Sequence, residues 1–191
     1  DFSIDENKGG LPVIENRGHF EVNRLIAFNN KKEHQGWCHF FLYDYMFRSL
    51  WNTPTKYISK LKQFKGILVP DFSTYVDYPL ALNIYNVYRN RWLGKYYQEH
   101  GINVIPTLVW GEYNSFDFAF KGIEKGSQVS VTTMGNRKDK HLQKLFLDGI
   151  EQLIKEIEPY QIILYGKMPK ELENEPLIKL FDPYYNGYSQ N

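Results

Sequence analysis

Residues 66–111, GILVPDFSTYVDYPLALNIYNVYRNRWLGKYYQEHGINVIPTLVWG, constrain the fold more than any other stretch. They spell strand, polar turn, helix, glycine stop and second strand. The apolar run Gly66 to Val69 breaks at Pro70, and Asp71, Ser73 and Asp77 crowd into the connection that follows. Pro79 suits a first helical turn, with Asp77 upstream as the expected N-cap. His100-Gly101 supplies a cation and then the residue best able to turn left-handed, so the helix is expected to stop there. Residues 102–110 are apolar enough for a strand covered on both faces, although Pro106 cannot donate to a ladder and marks an irregular or edge segment. The unit is therefore a parallel βαβ crossover with a carboxylate-rich loop at its strand end.

The flanking sequence extends this alternation. Residues 37–43, WCHFFLY, form a strand that closes on Asp44. Thr53-Pro54 reads as a helix start, with Tyr57, Ile58, Leu61 and Phe64 forming its buried stripe. A short helix over 116–123 and a strand over 128–134 come next. Leu142, Leu145, Phe146, Leu153, Ile154 and Ile157 then lie on one face of an amphipathic helix closed by Pro159, and 161–165 is a last strand. The expected fold is α/β: one domain with a mostly parallel sheet of about five strands and right-handed crossover helices. An open three-layer sheet and a partial barrel both satisfy the pattern. Residues 1–36 read as an irregular N-terminal arm, 37–168 as the core, and 169–191, with their YYNGY cluster, as an irregular tail packed on it.

Charge and cysteine content narrow the function. Among 191 residues, 23 Lys and Arg face 22 acids, for a formal net charge of +1. That balance argues against extended binding to duplex DNA, and a nucleic-acid partner requires the basic residues to gather on one face. The single cysteine, Cys38, excludes an intrachain disulfide and fits a reducing cytoplasm. No apolar run is long enough to span a bilayer, and the acidic, polar N-terminal residues do not resemble a signal peptide. Aromatic residues make up 17% of the chain, led by 15 tyrosines, which suits stacking or interaction surfaces as well as core filling.

Ligands of parallel α/β folds bind at the carboxyl ends of the strands. That rule selects Asp44, then Asp71, Ser73 and Asp77, then Trp110, Glu112 and Ser115, then Thr132, Thr133 and Gly135, and finally Tyr165 and Lys167. Asp71, Asp77 and Asp44 are the candidate acid and base, since clustered carboxylates drive their pKa values apart; oxygen ligands of this kind also suit Mg²⁺. On the helix, Asn86 and Arg89 share a face and serve either ligand contact or an internal network that holds the preceding loop, with Arg91 and Trp92 as further ligand-binding candidates. Gly135 to Lys140 combines a glycine, basic side chains and a helix start, so Lys138 is a candidate for an anion. The sequence has no HExxH, no Cys/His metal spacing, no GxSxG and no P-loop or GxGxxG pattern.

The runs HFFLYDY (39–45), PDFSTYVDYPLALNIYNVYRNRW (70–92), VIPTLVWG (104–111), SFDFAFKGIEKGSQVSVTTMG (115–135) and LYGK (164–167) resemble the domain of unknown function 4417 family. The resemblance covers most of the chain after the arm. It implies a cytoplasmic protein associated with bacteria, phages and mobile elements, and it transfers no catalytic role. Two functions follow from the residues. One is an enzyme or sensor for a small, phosphorylated, nucleotide-like ligand, with Arg89, Arg91 or Lys138 on the phosphate and Tyr or Trp on the base. The other is a non-catalytic module that modulates a host protein or a phage-defence factor through an aromatic surface.

Overall fold

The computed structural model describes residues 10–135 and 139–183. Seven parallel strands follow one another in chain order: β1 (Leu25–Ala27), β2 (Trp37–His39), β3 (Gly66–Leu68), β4 (Val104–Ile105), β5 (Gln128–Thr132), β6 (Gln161–Tyr165) and β7 (Ile178–Phe181). The first four form one sheet and the last three a second. A bridge between Thr107 and Ser130 joins them, with Leu108 N–H donating to the Ser130 carbonyl at 2.9 Å and Ser130 N–H to the Pro106 carbonyl at 2.8 Å. Pro106, which has no N–H to offer, stands where the ladder is interrupted. The helices are α1 (Ser49–Asn52), α2 (Ile58–Leu61), α3 (Leu80–Glu99), α4 (Phe116–Ala119) and α5 (Lys140–Ile157).

The strand count exceeds the expected five or so because both flanks contribute. β1 lies within the segment read as an arm and β7 within the segment read as a tail. The arm is also pinned farther back, where Ile14 bridges to Ile123 and Gln98 holds the Glu15 backbone through both its N–H and its carbonyl.

Side-chain alternation along the strands creates two apolar zones. Ile26, Cys38, Ile67 and Val104 pack under α3 with Leu93 and Tyr97, and Val129, Val131, Ile162 and Leu164 pack under α5 with Phe146, Ile150 and Leu153. The intervening residues Leu25, Trp37, Leu68, Ile105, Ile163 and Tyr165 point the other way and meet in one cluster drawn from both sheets. β2 and β6 are four places apart, a separation of about 19 Å in a flat sheet. The rings of His39 and Tyr165 nevertheless lie 4.6 Å apart, so the strands curl around this cluster. The curl does not close: β1 and β7 remain edges.

The two long helices keep their predicted limits within a residue or two, but their caps differ. Asp139 caps α5, accepting from His141 N–H at 2.7 Å and Leu142 N–H at 3.2 Å. At the start of α3 the cap position falls to Pro79, so Asp77 does not cap it. Thr53 precedes a 3₁₀ turn over Pro54–Tyr57, and its hydroxyl donates back to the Ser49 carbonyl instead of capping forward. Gly101 takes the left-handed conformation expected after α3, with φ of 75°.

Candidate functional site

A cleft of about 950 Å³ opens at the carboxyl ends of the strands. Phe41 and Tyr43 after β2, Asp71 and Ser73 to Asp77 after β3, Leu108 to Trp110 after β4, Thr132 and Gly135 at the end of β5, and Tyr165 on β6 all line it. Of the residues the sequence singled out, Asp71, Ser73, Asp77, Trp110 and Gly135 are thus brought together. No Lys, Arg or His stands among the described residues of the lining.

α3 holds the Asp71 loop with a row of asparagines. Asn90 accepts from Phe72 N–H at 2.9 Å, Asn86 donates to the Ser73 carbonyl at 2.6 Å, and Asn83 both accepts from Tyr75 N–H and donates to its carbonyl. Positions 83, 86 and 90 share one helix face, and each bond contributes roughly 0.5–1.5 kcal/mol net. Asn86 and Arg89 therefore belong to the network that holds the preceding loop. Arg89 donates to the Asn86 side-chain oxygen and lies 3.6 Å above the Phe72 ring, and burial pulls its pKa below the usual value. Asn83 and Asn90 were not singled out from the sequence; their signal was the three- and four-residue spacing after a polar loop.

The acids fall into three environments. Asp44 is held by the Ser73 hydroxyl at 3.0 Å and the Ser73 N–H at 3.2 Å. Asp77 is exposed on the cleft rim. Asp71 is only 9% exposed, and its Oδ1 has no hydrogen-bond partner. Burial holds its carboxyl well above the usual range; a bond from its own backbone opposes this, and the nearby Asp44 charge reinforces it. Asp71 is thus a buried carboxyl in the cleft lining with one oxygen left unpartnered. Among the described residues, three further buried atoms lack partners, Thr74 Oγ1 in the lining, His39 Nδ1 and Arg89 Nε. The His39 ring lies against Phe41 and Tyr165, and burial pushes its pKa down to about 3.

Trp110 forms the opposite wall. Its Nε1 donates to the Leu145 carbonyl at 3.2 Å and its ring stacks on Phe146. A Cβ at position 149 would come within 2.3 Å of that ring, so Gly149 is what lets α5 approach it.

Other candidates lie elsewhere. Thr133 is buried behind the lining and donates to the Lys167 carbonyl. Arg91 is fully enclosed, donating to the carbonyls of Lys121, Thr107 and Ala119, and burial pushes its pKa down to about 9. It ties α3 to the β4 and α4 segments and offers no free donor face to the cleft. Trp92 packs on the outer side of α3 against Trp51 and Tyr96. Lys138 lies outside the described residues, and Asp139 already engages two N–H groups at the α5 start. Among the described residues, no three His, Cys, Asp or Glu side chains converge.

Comparison with known proteins matches residues 8–182 to the family described as Domain of unknown function (DUF4417). The chain belongs to this family. DUF4417 relatives among curated proteins include the Gene 1 protein of Mycobacterium phage L5, 43% identical over 133 residues, which are 70% of this chain and 58% of the relative. The Gene 1 protein of Mycobacterium phage D29 is 38% identical over 152 residues, 79% of this chain and 56% of the relative. The chain thus spans a little over half the length of these curated relatives. No solved structure matches it. Among the described residues, no helix is long and apolar enough to cross a membrane.

Proposed function

We propose that this chain binds or processes a small phosphorylated, nucleotide-like ligand in the cleft at the strand ends, within a single-domain partial barrel. The observation that carries the reading is Asp71, a buried carboxyl with an unpartnered oxygen in the lining of a cleft of about 950 Å³, its pKa held well above the usual range by burial. Such a group donates a hydrogen bond to a heterocycle and, in a reaction, a proton. Tyr43, Tyr75 and Trp110 offer ring surfaces to a base. The described lining holds no cation, and Arg89 and Arg91 are engaged within the fold, which leaves Lys138 as the sequence's remaining candidate for the phosphate. The buried thiol of Cys38 suits a cytoplasmic protein, and the phage relatives support a mobile-element setting.

Native mass spectrometry of protein recovered from bacterial extract tests this reading. A small mass lost on denaturation is expected, absent from Asp71→Asn, whose fold is checked by circular dichroism. Full retention of that mass by Asp71→Asn would remove Asp71 from the site.

A second reading rests on the cleft rim. Tyr43 and Tyr45 are 75% and 68% exposed, and Tyr75, Tyr78, Leu80 and Leu82 are exposed beside them. Under this reading the rim docks a host or phage-defence protein without catalysis. Replacement of Tyr43 and Tyr45 by Ser then removes a copurifying protein, while Asp71→Asn does not.

A further inference from the structure

The near-neutral charge of the whole chain conceals a local imbalance. Residues 45–70 contain five Lys or Arg and no acid, and residues 78–98 contain three and no acid. These are the two crossovers that build α1, α2 and α3. Lys60 is occupied with the Phe28 carbonyl, Arg89 with the Asn86 side chain and the Phe72 ring, and Arg91 and Lys95 are buried. Arg48, Lys56, Lys62 and Lys65 remain exposed, and none forms an ion pair with a described residue. The acid at the foot of α3, Glu99, is already engaged by Lys95 and Arg17.

A row of rings runs along α3 beside α1 and the Thr55–Lys56 turn. Tyr85, Tyr88, Trp92 and Tyr96 recur at three- and four-residue steps, so they line one side of α3 over about 16 Å. Trp51 on α1 meets the first three edge-on at 6.1, 6.3 and 5.3 Å, and Trp92 stacks on Tyr96 at 4.9 Å. Tyr96 shares a hydrogen bond with Thr55, the neighbour of Lys56. Tyr85 is 44% exposed, and the rest of the row is partly open to solvent.

We propose that the outer face of α1 to α3 binds single-stranded nucleic acid, with backbone phosphates on Arg48, Lys56, Lys62 and Lys65 and unpaired bases on the ring row headed by Tyr85. Cations without acids complement a phosphate chain, and aromatic side chains stack on any base that is not already paired. A protein partner fits less well, because the centres of protein interfaces are depleted of lysine. A duplex fits less well too, since its bases are stacked on one another. The surface is separate from the cleft, so the inference stands whether or not the cleft takes a small ligand.

The test is fluorescence anisotropy of a labelled oligothymidine titrated with the full chain over a series of salt concentrations. The logarithm of affinity should fall with the logarithm of salt by about 0.7 per phosphate neutralised. Lys56→Ala and Lys62→Ala should each lower that slope by about 0.7. Both side chains are exposed and unpaired, so these variants keep the fold. Tyr85→Ala should weaken binding about tenfold and leave the slope unchanged. Absence of an anisotropy change at the lowest salt overturns the proposal. So does binding that both lysine substitutions leave intact, or a duplex that competes as well as the single strand.

Discussion

α5 and α3 are almost the same length, 18 and 20 residues, yet they bury opposite chemistry. α5 turns Leu145, Phe146, Ile150, Leu153 and Ile157 inward and keeps its charges in water. α3 buries Asn83, Asn86, Asn90, Arg91, Lys95 and Gln98, and shows solvent Leu80, Leu82, Ile84 and Tyr85. The first helix is a wedge of hydrocarbon that holds a sheet. The second is a scaffold of hydrogen bonds that holds a loop, and its displaced apolar residues become a surface. A helix that accepts the cost of buried polar groups does so because those groups have partners, and here the partners are the backbone of the Asp71 loop, three internal carbonyls, the Glu15 backbone and the carboxylates of Glu15 and Glu99.

Substitutions can break that contrast. Arg91→Ala should be the most damaging, because it opens a cavity and strands the carbonyls of Thr107, Ala119 and Lys121; about 5 kcal/mol lost in urea unfolding is expected. Leu153→Ala, the equivalent test on α5, should cost about 3 kcal/mol by the same measurement. If Arg91→Ala proves milder than Leu153→Ala, α3 is held by its few apolar contacts after all. Asn86→Ala should cost about 1–2 kcal/mol, with hydrogen exchange accelerating at residues 72–75 before it does elsewhere.

The asparagine row holds the loop that carries Asp71, so Asp71→Asn sharpens the contrast through pH. Well below 3.8 the carboxyl is protonated in both states. Above that pH the unfolded chain ionises while the folded carboxyl stays neutral, so the folded state retains an extra proton and wild-type stability falls as pH rises toward the raised folded value. The stability of Asp71→Asn relative to wild type should therefore improve between acid and neutral pH, as read from paired thermal melts. A constant difference would show that Asp71 ionises in the fold. Tyr85→Ala should have the smallest effect, within about 0.5 kcal/mol, because its ring lies on the solvent side of α3.

Much of this arrangement was legible in the sequence. The βαβ unit, the position of its acid loop and the gathering of Asp71, Ser73, Asp77, Trp110 and Gly135 at one mouth followed from apolar runs and from the rule that parallel strands present ligands at their carboxyl ends. β1 and β7 were not, since strands of three and four residues at the edges of a sheet leave too little periodicity to register. Arg91 was misplaced for a different reason. Its neighbours in sequence suggested a ligand contact, but its direction is set by the turn of the helix, one residue beyond Asn90 and so on the buried side.

Pairing each strand with its predecessor in the chain also bears on how the protein is made. A sheet ordered in this way can be extended in the sequence in which a ribosome releases it, each new crossover closing onto a finished edge. No early strand has to wait unpaired for a late one. The Asp71 loop and its asparagine clamp are complete once α3 has emerged, whereas the Trp110 wall must await α5. The two sides of the cleft should therefore acquire protection from exchange at different times during synthesis.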